Sequence, residues 1–174
     1  VNTSRAVLLA VVLLVVAVSA FLFVRLRNHS PIGDTISVYY TKIDGASEVP
    51  WTISMRPQAA GEAAQARLEG AALYAASQAV AGPAAGIDAV RFPSGTHVRT
   101  VNVTGSTATV DLSAEIEHQA GGTFGESGEF KALVWTLTAL PGIDSVSVRV
   151  EGQKLTALPG GHLELDQPLH RSDW

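Results

Sequence analysis

From Ala6 to Val24 the chain runs through nineteen consecutive uncharged residues, closed by Arg25 and Arg27. The run AVLLAVVLLVVAVSAFLFV is apolar on every face, with no polar stripe of the kind a surface helix of a water-soluble fold carries. At a rise of about 1.5 Å per residue, a helix of this length just spans a hydrocarbon layer of roughly 30 Å. The segment therefore predicts attachment to a membrane by an uncleaved signal anchor. A secretory signal peptide cut after Val18-Ser19-Ala20 is the competing reading. Phe21-Leu22-Phe23-Val24 prolongs the apolar run past that site and favours the anchor. Arg5 and the terminal amine on one side nearly balance Arg25 and Arg27 on the other, so orientation rests on the tendency of a leading hydrophobic segment to export the remainder of the chain.

Beyond the polar spacer Asn28–Asp34, the period of the apolar positions changes. In Thr35–Thr41, Ile36, Val38 and Tyr40 alternate with Ser37, Tyr39 and Thr41, the signature of a half-buried strand. A weaker strand is expected over Val49–Met55, with Pro50 at its start. Ala59–Val80 shows helical spacing through Leu68, Ala72, Ala75, Ala76 and Ala79, and Gly82-Pro83 should stop it. Gly70 inside this helix costs roughly 1 kcal/mol relative to alanine, for which close packing on the sheet is the expected compensation. His97–Val103 and Thr107–Leu112, joined by Thr104-Gly105-Ser106, read as a hairpin. A second helix is expected over Glu126–Leu140, with Phe130, Leu133, Val134, Leu137 and Leu140 on one face and Pro141-Gly142 at its end. Ile143–Val150 reads as a strand with Val146, Val148 and Val150 inward. The tail to Trp174 is expected to form a hairpin or an extended edge.

Strands that alternate so cleanly bury one face of a sheet and expose the other. Both helices must then cover the same face. The predicted fold class is α+β, a two-layer sandwich of a mixed or antiparallel sheet with two helices on one face, preceded by a transmembrane helix. The expected organisation is an anchor with its flanks at 1–27, a spacer at 28–34 and one domain at 35–174.

Composition narrows the function classes. Setting aside Arg5, Arg25 and Arg27 leaves 9 basic against 16 acidic residues, a formal charge of −7 on the remainder. Phosphate-driven binding to nucleic acid is disfavoured by that balance. The sequence contains no cysteine, which removes disulfides, thiolate metal sites and cysteine nucleophiles together.

Candidate chemistry is sparse. Gly125-Glu126-Ser127-Gly128-Glu129 approaches a nucleophile elbow but has Glu129 where the second glycine is required, so Ser127 reads better as a cap of the second helix. Asp111, Glu115 and Glu117 are carboxylates near one another in sequence, yet they sit on a polar strand face and in a solvated turn. His29, His97, His118, His162 and His170 lack metal-ligand spacing. The expectation is a chain that is not an enzyme, with no catalytic residues, no metal and no cofactor.

Ala81-Gly82-Pro83, Phe92-Pro93-Ser94-Gly95-Thr96 and Ala108-Thr109-Val110-Asp111-Leu112-Ser113 occur in an order that resembles the GerMN domain, a bacterial sporulation and germination family. The pattern continues through Gly121-Gly122, Val134-Trp135-Thr136-Leu137-Thr138, Pro141-Gly142-Ile143, Val150-Glu151-Gly152 and Pro168–Trp174. The resemblance covers about Thr35–Trp174. It implies an exported, membrane-tethered domain with a fold related to ring-building modules of envelope secretion and sporulation channels, and it carries over no catalytic residues. One copy in place of two, and an anchor in place of a lipobox, set this chain apart from the spore-former proteins.

Together these readings predict a non-enzymatic, membrane-tethered extracytoplasmic adaptor of the cell envelope, possible roles being sporulation, germination or envelope assembly. Its expected partners are envelope or membrane proteins, including a second copy of itself, with cell-wall glycan binding (peptidoglycan) as the alternative and a hydrolase as a weaker third reading. The outward residues Tyr39, Thr109, Ser147 and Arg149 are the candidate interaction surface; an exposed edge strand is the other.

Overall fold

The computed structural model describes residues 11–19, 32–44, 48–55, 62–118, 122–159 and 161–174. The chain divides into two compact units, Val1–Pro31 and Ile32–Trp174. In the first, residues 11–19 are helical (α1) and expose their valines and leucines. Among the described residues no helix is long and apolar enough to cross a membrane. The expected Ala6–Val24 anchor lies in part outside the described residues, as does Asn28–Pro31 of the spacer.

The second unit holds β1 (Thr35–Thr41), β2 (Glu48–Ser54), α2 (Ala64–Ala81), β3 (Val98–Thr104), β4 (Thr107–Leu112), a 3-10 turn (Ala114–Glu117), α3 (Gly122–Leu137), β5 (Ser145–Val150), β6 (Leu169–His170) and a last 3-10 turn (Arg171–Asp173). It is an α+β fold, but the strands form two sheets. β1 pairs with β2 alone, antiparallel, and β3-β4-β5-β6 form a four-stranded mixed sheet in which β4 and β5 run parallel. The single sheet expected from the sequence is thereby corrected, and the reason lies at the second edge of β1. There the Tyr39 N–H donates to Thr136 Oγ1 of α3 at 2.9 Å, and the Thr41 carbonyl accepts from Val90 N–H at 2.8 Å. Those contacts occupy the Tyr39–Thr41 end of the second edge of β1, where another strand would otherwise continue the sheet.

The expectation that both helices cover one face of a single sheet does not describe the packing, because the two helices meet different strands and each other. α2 lies against β3, β1 and α3, whereas α3 lies against β1 and β5 as well. The α2 contact face is Ala71, Ala72, Ala75, Ala76 and Ala79, small side chains that let its backbone approach its neighbours. α2 stops at Gly82, whose φ of 80° suits glycine, as its sequence predicted. α3 begins at Gly122, four residues before the expected Glu126, so Ser127 lies inside the helix and caps nothing. Gly128 explains the tolerance for glycine there: a Cβ would meet Val90 Cγ2 at 2.9 Å, so only glycine permits this close approach. The parallel β4–β5 pair needs a crossover, which α3 supplies.

Val110, Leu133 and Leu137 are fully buried and Val148 nearly so, on the core side where the pattern placed them. Gly70 is different. It is exposed, and a Cβ built on it would touch nothing within 4 Å, so the expected packing compensation is absent. Gly70→Ala should therefore stabilise the fold by about 0.5–1 kcal/mol, read as a higher urea midpoint with an unchanged slope. A loss of stability would mean that the position is covered.

Candidate functional site

The four-stranded sheet turns Val101, Val103, Ala108, Val110, Leu112, Val146, Val148 and Val150 to the core. Strand periodicity then sends the intervening residues to the opposite face. Register sets them side by side: Asn102 opposite Thr109 opposite Ser147, Thr100 opposite Asp111 opposite Arg149, and Thr104 opposite Thr107 opposite Ser145. Thr109, Ser147 and Arg149 of the predicted surface thus come together on one open face. Tyr39 does not join them, because it belongs to the two-stranded sheet.

One corner of the open face is tied down by charge. Arg99 Nη1 meets Asp111 Oδ2 at 2.8 Å and Glu151 Oε2 at 3.3 Å. The other Asp111 oxygen accepts the Gly152 N–H at 2.7 Å, and Arg149 Nη1 donates to the Gly152 carbonyl at 3.0 Å. Glu151, at a φ of 50°, accepts the Ala114 N–H through its carboxylate. These contacts hold the β5 exit turn against β4. At the other end Thr107 Oγ1 and Ser145 Oγ share a hydrogen bond of 2.9 Å. Between them lie the amide of Asn102, which is exposed, and the hydroxyls of Thr109 and Ser147, which are half-buried. This is a hydrogen-bonding platform bordered by an exposed arginine.

The other sequence candidates have structural positions. Asp111 is buried in the ion pair at that corner. Glu115 and Glu117 lie in a 3-10 turn and not in an open one. The Ser113 hydroxyl, and then its own backbone N–H, hold the Glu115 carboxyl below the usual carboxylate range. His162 and His170 are exposed. Among the described residues no three His, Cys, Asp or Glu side chains are grouped to hold a metal.

Tyr39 points away from the buried face of β1, as its alternation predicted, but it is half-buried there because it enters an aromatic cluster. Its ring meets Trp135 edge-on at 5.7 Å between centroids, and the Arg171 guanidinium lies 5.3 Å from the Tyr39 ring and 4.6 Å from that of Trp135. Arg171 also donates to Trp135 O at 2.6 Å and Thr138 Oγ1 at 2.9 Å, which clamps the C-terminal turn onto α3. In the sequence, Arg171 stood out only as part of the terminal pattern. A groove of about 810 Å³, lined by Met55, Arg67, Gly70, Leu73 and Tyr74 among others, runs between α2 and the ends of β1 and β2.

An α+β unit built from a hairpin sheet, a mixed four-stranded sheet and two helices packed against them and each other defines the class of domain. The family model Germane, described as sporulation and spore germination, matches residues 37–156, and the chain belongs to that family. Its fold is similar to the first GerMN domain of the sporulation protein GerM from Bacillus subtilis, with a TM-score of 0.61 and 25% identity over 80% of this chain and 98% of that one. The tandem GerMN domains of the same protein match at a TM-score of 0.62 and 24% identity, again over 80% of this chain. This chain spans 47% of that tandem structure. A Clostridium perfringens protein provisionally described as a lipoprotein matches with a TM-score of 0.57 at 17% identity, covering 83% and 95% of the two chains. No curated protein matches.

Proposed function

We propose that this chain is a non-enzymatic, membrane-tethered extracytoplasmic domain of the bacterial cell envelope that binds protein partners through the open face of β3, β4 and β5. The observation that carries this reading is the row of Asn102, Thr109 and Ser147 brought side by side by the strand register, with Arg149 exposed at its border and the Arg99–Asp111 ion pair tying down one corner. Membership of a sporulation and germination family, and likeness to a GerMN domain of a sporulation protein, support an envelope role. Tethering would confine the domain to a surface and raise its effective concentration for partners there.

Photo-cross-linking amino acids at Thr109 and Ser147 should trap a partner in intact cells. Thr109→Arg and Ser147→Arg should abolish capture while each variant still unfolds in a single cooperative transition, so that loss of capture is read separately from loss of fold. Capture that survives both changes defeats the proposed face. Restoration of a deletion strain by the domain freed from its apolar N-terminal segment, or turnover of a wall-derived substrate, defeats the tethered, non-enzymatic reading. Sedimentation with purified peptidoglycan, lost in Trp51→Ala, would instead make it a glycan-binding module, since Trp51 is exposed whereas Trp135 and Trp174 are half-buried.

A further inference from the structure

Every strand at the edge of a sheet presents main-chain groups that need a partner. On β3, Val103 meets that need within the chain: its carbonyl accepts from Gln65 Nε2 at 2.8 Å and its N–H donates to Glu69 Oε1 at 3.1 Å. The Gln65 amide, and then the Val103 N–H, hold the Glu69 carboxyl below its ordinary range, consistent with a carboxylate kept as an acceptor. The second edge of β1 is closed at its Tyr39–Thr41 end by Thr136 and Val90. Among the described residues β2 is the outer strand of its two-stranded sheet, with only β1 beside it.

The direction of each β2 group is set by the ladder. Antiparallel pairs alternate between residues that exchange main-chain bonds and residues that turn their groups away. Tyr39 turns its N–H away from β2, so Tyr39↔Pro50 is a pair of the second kind, and so are Ser37↔Thr52 and Thr35↔Ser54. The Met55 N–H donating to Asp34 O at 2.8 Å fits the same alternation. Pro50, Thr52 and Ser54 therefore direct their main-chain groups to the outer edge, and all three residues are exposed. Proline is accommodated because the N–H it lacks would have pointed outward.

The side chains identify what fits this edge. Val49, Trp51 and Ile53 share the face of Tyr40, Val38 and Ile36, yet Trp51 is 46% exposed and the other two are half-buried. No charge interrupts the stretch Val49-Pro50-Trp51-Thr52-Ile53-Ser54-Met55, so the charged side chains that commonly guard an edge are missing there and Pro50 is the one device against pairing that the stretch carries. Apolar residues fall at 49, 51, 53 and 55, a pattern that reads the same in both directions about Thr52. A strand of that pattern complements itself across a two-fold axis.

We propose that β2 is a self-association edge, pairing antiparallel with β2 of a second copy about an axis through Thr52. Thr52 exchanges both main-chain bonds with Thr52 of the second copy. The Pro50 carbonyl accepts from the Ser54 N–H of the second copy, so the proline removes bonds only from the flanks of the pairing. Trp51 stands across from Ile53 of the second copy and Val49 across from Met55, which joins the two apolar rows on one face. This edge belongs to the β1–β2 sheet, so the pairing and the platform on β3, β4 and β5 fail or hold separately.

The absence of native cysteine makes the test direct. In the full chain in its membrane, Thr52→Cys brings two thiols to a Cα separation of about 5.5 Å, within the 4.4–6.8 Å range that disulfides adopt. Ser54→Cys faces Pro50 of the second copy and lies well beyond that range from its own mate. Mild oxidation should therefore give on the order of tenfold more covalent dimer for Thr52→Cys than for Ser54→Cys. Adding Trp51→Lys should return Thr52→Cys to the Ser54→Cys level. Absence of a Thr52→Cys dimer overturns the pairing, as do equal yields from the two cysteines or a dimer indifferent to Trp51→Lys. Both cysteines replace exposed side chains, so thermal unfolding of the reduced variants should match the parent and exclude misfolding as the cause.

Discussion

Lys131→Met should destabilise the domain by about 3–5 kcal/mol, the usual cost of leaving one member of a buried ion pair behind. Lys131 Nζ lies 3.2 Å from Glu48 Oε1, and the two side chains keep only 12% and 6% of their surface in contact with solvent. Glu48 has a second neighbour in Thr41, whose Oγ1 is 3.2 and 3.3 Å from its two oxygens. That hydroxyl has one proton, however, and its 2.7 Å contact with the Gly128 carbonyl has the stronger claim on it. Without the ammonium, the carboxylate is left between β2 and α3 with little to hold its charge. Lys131 also sits 5.8 Å from the Trp135 ring centre, so the change loosens the aromatic cluster as well. Replacing both partners, as Glu48→Gln with Lys131→Met, should recover most of the loss, because no buried charge then lacks a counterpart. Urea unfolding of the two variants provides the check. A single variant within about 1 kcal/mol of the parent would mean that water reaches Glu48 and the pair is a surface one.

The parts of this fold that were legible in the sequence are those where one residue decides one local conformation. Alternation in Thr107–Leu112 and Ser145–Val150 told inside from outside, and so placed Thr109, Ser147 and Arg149 on a common face before their register was known. Gly82 marked the end of α2 through its backbone freedom alone. Pairing between distant segments was not legible. Nothing local in Thr35–Thr41 announces that Thr136, 97 residues away from Tyr39, closes its edge and splits the strands into two sheets. The surroundings of Tyr39 were hidden for the same reason: its alternation put it outward, and outward from β1 is where Trp135 and Arg171 stand, apart from the sheet of Thr109 and Ser147. The early start of α3 was hidden by its glycines, which lower helix propensity in isolation and are tolerated at Gly128 because Val90 occupies the space of a side chain.

That same close approach sets the outcome expected at Phe130. Its ring is fully buried and meets Phe92 edge-on, with centroids 6.3 Å apart and planes at 77°. Phe130→Ala should cost about 3–5 kcal/mol, the sum of lost transfer energy and a cavity that the surroundings fill only in part. Collapse of that cavity would require α3 to move towards the 89–92 segment, and Gly128 against Val90 already leaves no room for it. The loss should therefore fall in the upper part of the range. Phe92→Ala should cost less, since Phe92 keeps 9% of its surface exposed and its removal opens a gap nearer to solvent. Combining the two should show a coupling of about 0.5–1.5 kcal/mol, the amount an edge-to-face pair contributes beyond burial. Calorimetry or urea unfolding of the four proteins measures it. A Phe130→Ala loss below about 1 kcal/mol would show that α3 is free to settle into the space, and that Gly128 does not fix its distance from Val90.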